Sequence, residues 1–506
     1  MDETVKLALD TIHKEKQAII FAPSRASAEK AAEDIAKITS FSLLDLEKGV
    51  LKGVGTPTKQ CRRLSHCIRK GVAFHHAGLT NKQKELIEDS FREGKIRIIC
   101  ATPTLAAGLS LPAYRVIIKS LKRYSGRWGM DWIPVLEYMQ MAGRAGRPEY
   151  ESLGEALTIA KTDAEKEEIH ERYVCGVPEE IYSKLAVEPV LRTYLLSLIA
   201  SGIIRDNKSM QDFFGKTFWA FQFGDMNKLN LIMERMLHLL EEWGFVTLQN
   251  PGGDFAPANA LSAEQQMRAT AIGKRVSELY LDPLTARHLL DCLIKYDDSK
   301  NTFSLLQMVS NTLEMRPLLR IKAKEEDFIH QELMKQYENL LTKEPSAFDI
   351  DYSDFMNSIK TALFFEAWIG ENDEDYLLEK FNVRPGEIRV KLETADWLLY
   401  ASEELAKVAS QKNIMAPIHR LRLRLKDGVK EELLPLLKFK GIGRVRARKL
   451  YSNGLKDIGH LKAVDMATLS QLLGKVLAAD VKEQLGETVQ QVPAGKRKGQ
   501  LSLEKF

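Results

Sequence analysis

Short apolar strands alternate with helical segments over the first third of this chain. Apolar runs occupy residues 17–22, 71–74, 96–100 and 114–118, and segments with helical periodicity separate them. This alternation predicts a parallel sheet joined by right-handed helical crossovers. From Val187 onward the strand pattern almost disappears, and amphipathic helical segments follow one another. The predicted fold class is therefore multidomain, with one α/β parallel-sheet domain followed by mainly α-helical domains.

The length also requires several domains, because a single hydrophobic core stops growing near about 250–300 residues and the chain has 506. A winged-helix domain is predicted where helices lead into the apolar stretch 244–248 and a Pro-Gly-Gly turn. The predicted domains are the α/β domain at 1–172, the winged helix at 173–260, a helical bundle at 261–415, a distinct short module at 416–485 and a flexible basic tail at 486–506.

Composition restricts the partners and the compartment. No run of about 18 apolar residues could span a bilayer, and the amino terminus lacks an apolar signal core, so we expect a cytoplasmic protein without membrane partners. Five cysteines, an odd number, suit a reducing compartment. Cys61 and Cys67, with His75 and His76 beyond them, fit no common zinc-ligand spacing, and we expect no bound metal. The net charge is only +4, so nucleic-acid binding requires local basic surfaces.

The strongest functional pattern is the segment 140–148, with the sequence QMAGRAGRP. Arg144 and Arg147 lie three residues apart, which places both on one side of a helical turn. Their planar, permanently charged guanidinium groups suit the oxygens of a transferring phosphoryl group. A surface Arg-Gly loop that binds any anion is the alternative, and this segment alone does not separate the two interpretations.

Three more polar segments each follow a predicted strand. Residues 101–112 (ATPTLAAGLSLP) follow the strand 96–100, residues 75–79 (HHAGL) follow another, and Ser24-Arg25 follows the first. Open α/β sheets bind ligands at the carboxyl ends of their strands. The four segments are therefore predicted to converge on one face of the sheet.

Taken in this order, the four segments resemble the second RecA-like motor domain of superfamily 2 helicases. The similarity extends through the whole chain and is greatest to the archaeal ski-two-like DNA helicases of the Hjm family. The resemblance implies that Gln140, Arg144 and Arg147 are catalytic, with Gly108, Arg144 and Arg147 facing ATP, and that Arg25, His76, Thr102 and Thr104 lie along the DNA backbone. Ser110 departs from the family, which has asparagine at that position.

Residues 122–132 (KRYSGRWGMDW) place glycines at a turn between aromatic arms, a pattern typical of a β-hairpin. The resemblance implies a pin that parts the duplex, with Trp128 stacking on an exposed base. An edge hairpin that only closes the sheet is the alternative.

A long helix is predicted at 388–400, after Pro385-Gly386. It resembles the family's ratchet helix, in which Trp397 would stack on a base of the single strand and Arg389 would lie beside it. Val390 stands where the family has arginine. Packing in a core is the alternative role for the tryptophan.

Residues 436–450 (LLKFKGIGRVRARKL) form a helix-hairpin-helix signature. The turn from Gly441 to Gly443 would direct backbone amides at a phosphate, and Arg444, Arg446 and Arg448 would add positive charge. Such binding is independent of base sequence and sensitive to salt. A hairpin that contacts protein is the alternative.

The last seven residues, QLSLEKF, resemble the peptide by which replication proteins dock on the sliding clamp. The basic residues 496–498 just before them could equally contact DNA or a single-strand-binding protein.

The sequence lacks the glycine-rich loop and the acidic motif that hold ATP and Mg²⁺. Residues 215–217 (GKT) follow Met210, which stands where the loop's first glycine should be, and the acidic residues 373–375 follow no apolar strand. By resemblance the first motor domain is absent, whether through engineering, proteolysis or a split gene. We expect the complete enzyme to use ATP and Mg²⁺, and this chain alone not to hydrolyse ATP.

The predicted function is the carboxy-terminal part of an ATP-dependent 3′-to-5′ DNA helicase for fork repair and recombination, which binds single-stranded and forked DNA. One alternative is a non-catalytic DNA-binding adaptor that has lost its motor. Another is a fragment of an RNA helicase of the same superfamily, which the helix-hairpin-helix disfavours.

Overall fold

The computed structural model describes residues 2–52, 57–108, 111–124, 130–146, 153–249 and 266–486. The described residues fall into two compact units. The first comprises those of Met1–Arg287 together with Asp373–Thr394, and the second those of His288–Asn372 together with Ala395–Phe506. Within the described ranges, no helix has both the length and the apolar character needed to cross a bilayer.

Five parallel strands form the central sheet of the first unit, in the order β2-β3-β1-β4-β7. Two further pairs, β5-β6 and β8-β9, are antiparallel. The strands are β1 Ala18–Phe21, β2 Val72–His75, β3 Ile98–Ala101, β4 Arg115–Ile118, β5 Lys122–Tyr124, β6 Met130–Trp132, β7 Glu155–Thr158, β8 Val246–Gln249 and β9 Gln266–Ala269. Strands β1 to β4 are buried along their whole length, as expected for a parallel sheet covered on both faces.

Helices cover this sheet, and hydroxyl side chains cap several of them. Ser24, Thr58 and Thr80 each accept a hydrogen bond from a backbone amide in the first turn of the helix that follows, which satisfies a donor that the helix itself cannot. The helices are α1 Glu3–His13, α2 Arg25–Ala36, α3 Leu44–Lys52, α4 Lys59–Arg69, α5 Asn81–Arg92, α6 Thr104–Gly108, α7 Val135–Ala142 and α8 Asp163–Ile169, with a π-helical turn at His170–Val174.

The first unit continues with helices and the β8-β9 pair, over the residues predicted to form a winged helix, and that assignment stays a prediction. The segment 250–265 between these two strands lies outside the described residues. The helices are α9 Glu188–Ala200, α10 Asn207–Phe214, α11 Phe218–Phe223, α12 Met226–Glu242 and α13 Ala271–Glu278, and α14 Pro283–Lys295 begins in the first unit and continues from His288 in the second. Arg192 of α9 pairs with Asp282 at 2.7 Å and ties the two ends of this region together.

The rest of the described chain is helical. Its helices are α15 Thr302–Ser310, α16 Glu326–Gln336, α17 Tyr352–Ile369, α18 Glu374–Phe381, α19 Pro385–Val408, α20 Met415–Asp427, α21 Arg444–Ser452, α22 Ile458–Ala463, α23 Met466–Leu473 and α24 Lys475–Gln484. Helix α18 and the first residues of α19 belong to the first unit. Residues between Val429 and Val481 enclose a separate small core. The fold is a RecA-like α/β domain followed by helical domains, in agreement with the predicted class; the individual domain boundaries stay predictions.

Candidate nucleotide and nucleic-acid site

The polar segments that follow β1, β2 and β3 lie at the same edge of the sheet. These three strands are parallel neighbours, so their carboxyl ends meet there. The amide of Thr102 donates to the carbonyl of His75 at 3.3 Å, which joins the ends of β3 and β2. Arg25 is the first residue of α2, directly after β1. The hydroxyls of Thr102 and Thr104 lie 2.9 Å apart, and Thr104 is exposed.

The two segments predicted to face ATP are in direct contact. Arg144 follows α7, and its Nε donates to the carbonyl oxygen of Ala106 in α6 at 3.1 Å, with Nη2 donating to the same atom. The amide of Ala113 donates to the carbonyl of Arg144 at 2.9 Å. Gly146 has a φ of +94°, a conformation that favours glycine, and its amide donates to Ala113 at 2.7 Å. The loop that carries Arg144 is therefore fixed to the segment 101–113 from both sides.

The remaining predicted nucleotide ligands are only partly placed. Gln140 is exposed on α7, and Gly108 ends α6. Arg147 and Ser110 lie outside the described residues. The partly exposed Arg144 guanidinium suits an anion, but no group of three or more His, Cys, Asp or Glu side chains in the described ranges could hold a metal ion. This edge thus fits the arginine half of an ATP site and offers no described ligand set for Mg²⁺.

His76 requires a correction. Its side chain is fully enclosed, with Nε2 at 3.1 Å from Glu29 Oε1 and Nδ1 accepting from the amide of Gly78 at 3.1 Å. The ring also stacks on Phe74 at a centroid distance of 5.5 Å. An enclosed imidazole cannot itself reach the DNA backbone, so the direct contact predicted for His76 is replaced by an internal one.

Arg25 is also engaged, since its guanidinium forms an ion pair with Glu387 near the start of α19. Sequence reasoning missed Glu29, Arg384 and Glu387 in this region. The one available signal was the placement of Glu29 four residues after Arg25, on the same face of a helix. Its partner Arg384 lies 355 residues away in the sequence, and no local pattern joins the two.

The predicted hairpin between residues 122 and 132 is present as the β5-β6 pair. Its base is held by the Lys122 ammonium 4.0 Å from the centroid of the Trp132 ring and by an ion pair of 2.8 Å between Arg123 and Glu137. Trp128, the predicted stacking residue, lies outside the described residues.

The predicted long helix corresponds to α19, which is longer than expected. Arg389 is exposed and pairs with Glu393 at 2.9 Å. Val390, where an arginine was expected, is 61% exposed. Trp397 is half-buried. Burial lowers the pKa of Lys391, although the charge of Glu387 opposes this shift.

The predicted helix-hairpin-helix turn lies just before α21. Gly441 has a φ of +83°, and Gly443 is extended at the start of α21. The three arginines of α21 differ. Arg444 donates to the carbonyl of Asn372 and lies 5.2 Å from the Trp368 ring. Arg448 pairs with Glu371 and, at 2.9 Å, with Glu432. Arg446 is exposed and donates to the carbonyl of Gly441 at 2.7 Å.

A parallel α/β sheet with an arginine loop fixed on the strand-end segment, followed by helical domains, agrees with a superfamily 2 helicase that contains a RecA-like domain. Residues 2–149 match the family model for the helicase conserved C-terminal domain. Residues 303–428 match the family model for the archaeal helicase, domain 4.

Relatives of known class support the same assignment. The chain is 36% identical over 510 residues to the ATP-dependent DNA helicase Hel308 of Methanocella arvoryzae, an alignment that covers 97% of this chain and 66% of that protein. It is 35% identical over 509 residues to the Hel308 helicase of Pyrococcus horikoshii, covering 98% of this chain and 67% of the relative. The chain belongs to this archaeal DNA helicase family, and it spans about two thirds of the length of these relatives.

Proposed function

We propose that this chain is the carboxy-terminal part of an ATP-dependent DNA helicase that moves 3′ to 5′ and acts on forked DNA in repair and recombination. It would supply the arginine side of the ATP site and most of the surfaces that track DNA. The observation that carries this proposal is the attachment of the Arg144 guanidinium to the carbonyl of Ala106. This contact joins the segment 101–113 to the loop that carries Arg144, and both are predicted to face ATP.

In the proposed ATP site, Gln140, Gly108, Arg144 and Arg147 face the nucleotide. A bound Mg²⁺ would supply positive charge against the negative charge that develops on the phosphate oxygens. The arginines of this chain would stabilise the same charge, and such a residue contributes roughly 10³–10⁵ in rate. The lysine loop and the metal ligands come from a separate RecA-like surface, because the present sequence contains neither. One side alone does not hydrolyse ATP.

In the proposed DNA path, Arg25, Thr102 and Thr104 contact the backbone at the strand ends. Trp128 stacks on an exposed base, as the resemblance implies, and Arg389 and Trp397 contact the single strand from α19. The amides near Gly441 and Gly443 bind a phosphate, assisted by Arg444 and Arg446 of α21. All of these groups address phosphates or base faces, so binding is independent of sequence and weakens as salt rises.

The experiment combines this chain with a separately prepared first RecA-like domain and follows the unwinding of duplexes that carry a 3′ tail, a 5′ tail or a fork. We expect ATP-dependent unwinding of the 3′-tailed and forked DNA. Duplexes with an RNA loading strand serve as competitors, and preference for RNA would support an RNA helicase. Tight DNA binding without any ATP-dependent unwinding would instead support an adaptor without a motor.

A further inference from the structure

One buried carboxylate gathers three donors from separate parts of the first unit. Glu29 has a side chain only 4% exposed. Its Oε2 accepts from Arg63 Nη1 at 2.8 Å, while Oε1 accepts from His76 at 3.1 Å and from Arg384 Nε at 3.3 Å. Burial alone would raise the pKa of Glu29. The hydrogen bond from His76 and the charges of Arg384 and Arg63 outweigh that effect and hold the pKa at about 2.

The tautomer of His76 follows from these contacts. Nδ1 accepts a hydrogen bond from the amide of Gly78, so it carries no proton, and Nε2 must carry the proton that is donated to Glu29. The neutral ring thus connects the loop after β2 to α2. A change in the position or charge of Glu29 therefore alters its hydrogen bond to His76 and, through His76, the position of residues 76–78.

The start of α19 is pressed against the same loop. The amide of Gly386 donates to the carbonyl of Gly78 at 3.1 Å. A Cβ atom at Gly386 would lie 2.4 Å from the carbonyl oxygens of both Ala77 and Leu79. These are backbone atoms that cannot rotate away, so the close approach requires glycine at this position.

The loop and the helix also interlock through side chains. A Cβ atom at Gly78 would lie 2.5 Å from Cδ of Arg384, so the arginine packs directly over the loop. Glu387 accepts from the amide of Arg384 at 3.0 Å and pairs with Arg25 at the end of β1. Two strand ends of the sheet are therefore attached to one short segment, residues 384–387.

We infer that Glu29, His76 and Arg384 are positioning residues that lock the start of α19 to the strand-end loops, so that movement of these loops during ATP turnover is passed into the helix. This inference rests on the proposed function. Helix α19 continues without interruption from Pro385 to Val408. Trp397 lies 12 residues after Pro385 on this helix. Weakening these contacts lets ATP hydrolysis continue with less movement along DNA for each ATP.

The test measures both ATP hydrolysed and base pairs unwound by the chain combined with a first RecA-like domain. The variants are Gly386→Ala, which inserts the clashing Cβ, and Arg384→Met, which removes a donor to Glu29. We expect DNA-stimulated ATP turnover to change by less than about twofold while base pairs unwound per ATP fall about tenfold, a size typical of coupling residues. Arg384→Lys, which keeps the charge, recovers part of this loss.

Gly49→Ala is the matched control, because Gly49 lies in helix α3 and its added Cβ would meet only Leu86 at an ordinary 3.6 Å. Gly49→Ala should leave the number of base pairs unwound per ATP unchanged. An unchanged ratio in Gly386→Ala and Arg384→Met, or a parallel loss of hydrolysis and unwinding with a lower melting temperature, overturns the inference and leaves the proposed function standing. A wild-type mixture that neither hydrolyses ATP nor unwinds DNA overturns the proposed function, and the inference with it.

Discussion

The strand-end region of the α/β domain and the helix-hairpin-helix both contain arginines that the sequence predicts to bind phosphates. The structure gives these arginines different partners. Arg144 donates to an uncharged carbonyl in the described part of the chain, so this contact leaves its charge available to an anion. Arg448 is bound by two carboxylates. A guanidinium held by a carbonyl can still receive a phosphate, whereas one held by carboxylates must first exchange partners.

The two regions therefore divide their arginines into those ready for a ligand and those that stabilise the fold. Arg144 and Arg446 belong to the first group, and Arg448 belongs to the second. Arg25 pairs with Glu387 and stands between the groups, because both side chains are partly exposed and partly exposed pairs exchange readily with solvent ions.

The largest expected effect that separates the groups is at Arg144. In the mixture with a first RecA-like domain, we expect Arg144→Ala to lower ATP turnover by about 10³ or more. Arg144→Lys should recover little, because a lysine cannot present the planar fork. Arg92→Ala, which removes an exposed pair with Asp89, serves as the control and should change turnover little. Equal turnover in Arg144→Ala and Arg92→Ala would place Arg144 among the structural arginines.

The next effect concerns the buried carboxylate of Glu29. It holds arginines beside the strand ends, as Glu371 holds Arg448 of α21. Its folded pKa of about 2 lies below the ordinary value of 4.5, so its contribution to stability is complete above pH 4.5 and is lost as the pH falls toward 2. The shift corresponds to roughly 3 kcal/mol. We expect Glu29→Gln to lower the free energy of unfolding at pH 7 and to flatten its dependence on pH below 4.5.

Urea unfolding of the wild type and of Glu29→Gln at several pH values measures this effect. Glu3→Gln is the control, because Glu3 is exposed and pairs with Lys6 three residues away. If Glu29→Gln and the wild type lose stability in parallel between pH 4.5 and 2, Glu29 does not hold its three partners as an ionised group.

A smaller effect distinguishes Arg446 from Arg448 within α21. We expect Arg446→Ala to weaken DNA binding and to reduce the slope of log affinity against log salt by about one, as for a single lost phosphate contact. Arg448→Ala should lower the melting temperature instead and leave the salt slope almost unchanged. Titration of single-stranded and forked DNA at several salt concentrations checks both variants. The reverse pattern would show that Arg448 leaves its carboxylates to contact DNA.

The smallest expected effect is at Glu371. Its pKa is lowered, since the hydrogen bond from Arg448 and the amide of Lys430 outweigh burial. Glu371→Gln removes one of the two carboxylates that hold Arg448, and we expect DNA affinity to rise by a few-fold at low salt, about 1 kcal/mol or less for one partly freed charge. The same titration measures it. Unchanged affinity at every salt concentration would mean that Glu432 alone is sufficient to hold Arg448.

Sequence predicted the elements better than the contacts of their side chains. The apolar run at 96–100 overlaps β3, and the run at 114–118 contains β4, because local periodicity determines such elements. Strand β7 was missed, since its four residues are only partly buried and show no apolar run. The motifs indicated that Thr102 would lie at a strand end, directly after β3.

The sequence did not predict which oppositely charged residue each of these side chains contacts. Glu29 meets Arg384, and Arg448 meets Glu371, across long stretches of chain. Burial of His76 arises from the same long-range packing. A motif identifies the residue type at a strand end, but only packing decides whether that side chain faces solvent or a neighbour.

In the proposed function, the arginine edge beside Ala106 completes an ATP site begun on another RecA-like surface. The direct measurement is DNA-stimulated ATP hydrolysis by this chain, by a first RecA-like domain and by their mixture, side by side. Turnover only in the mixture, and its loss in Arg144→Ala, is the predicted result. A mixture no more active than its separate parts, with both proteins folded, would contradict the account.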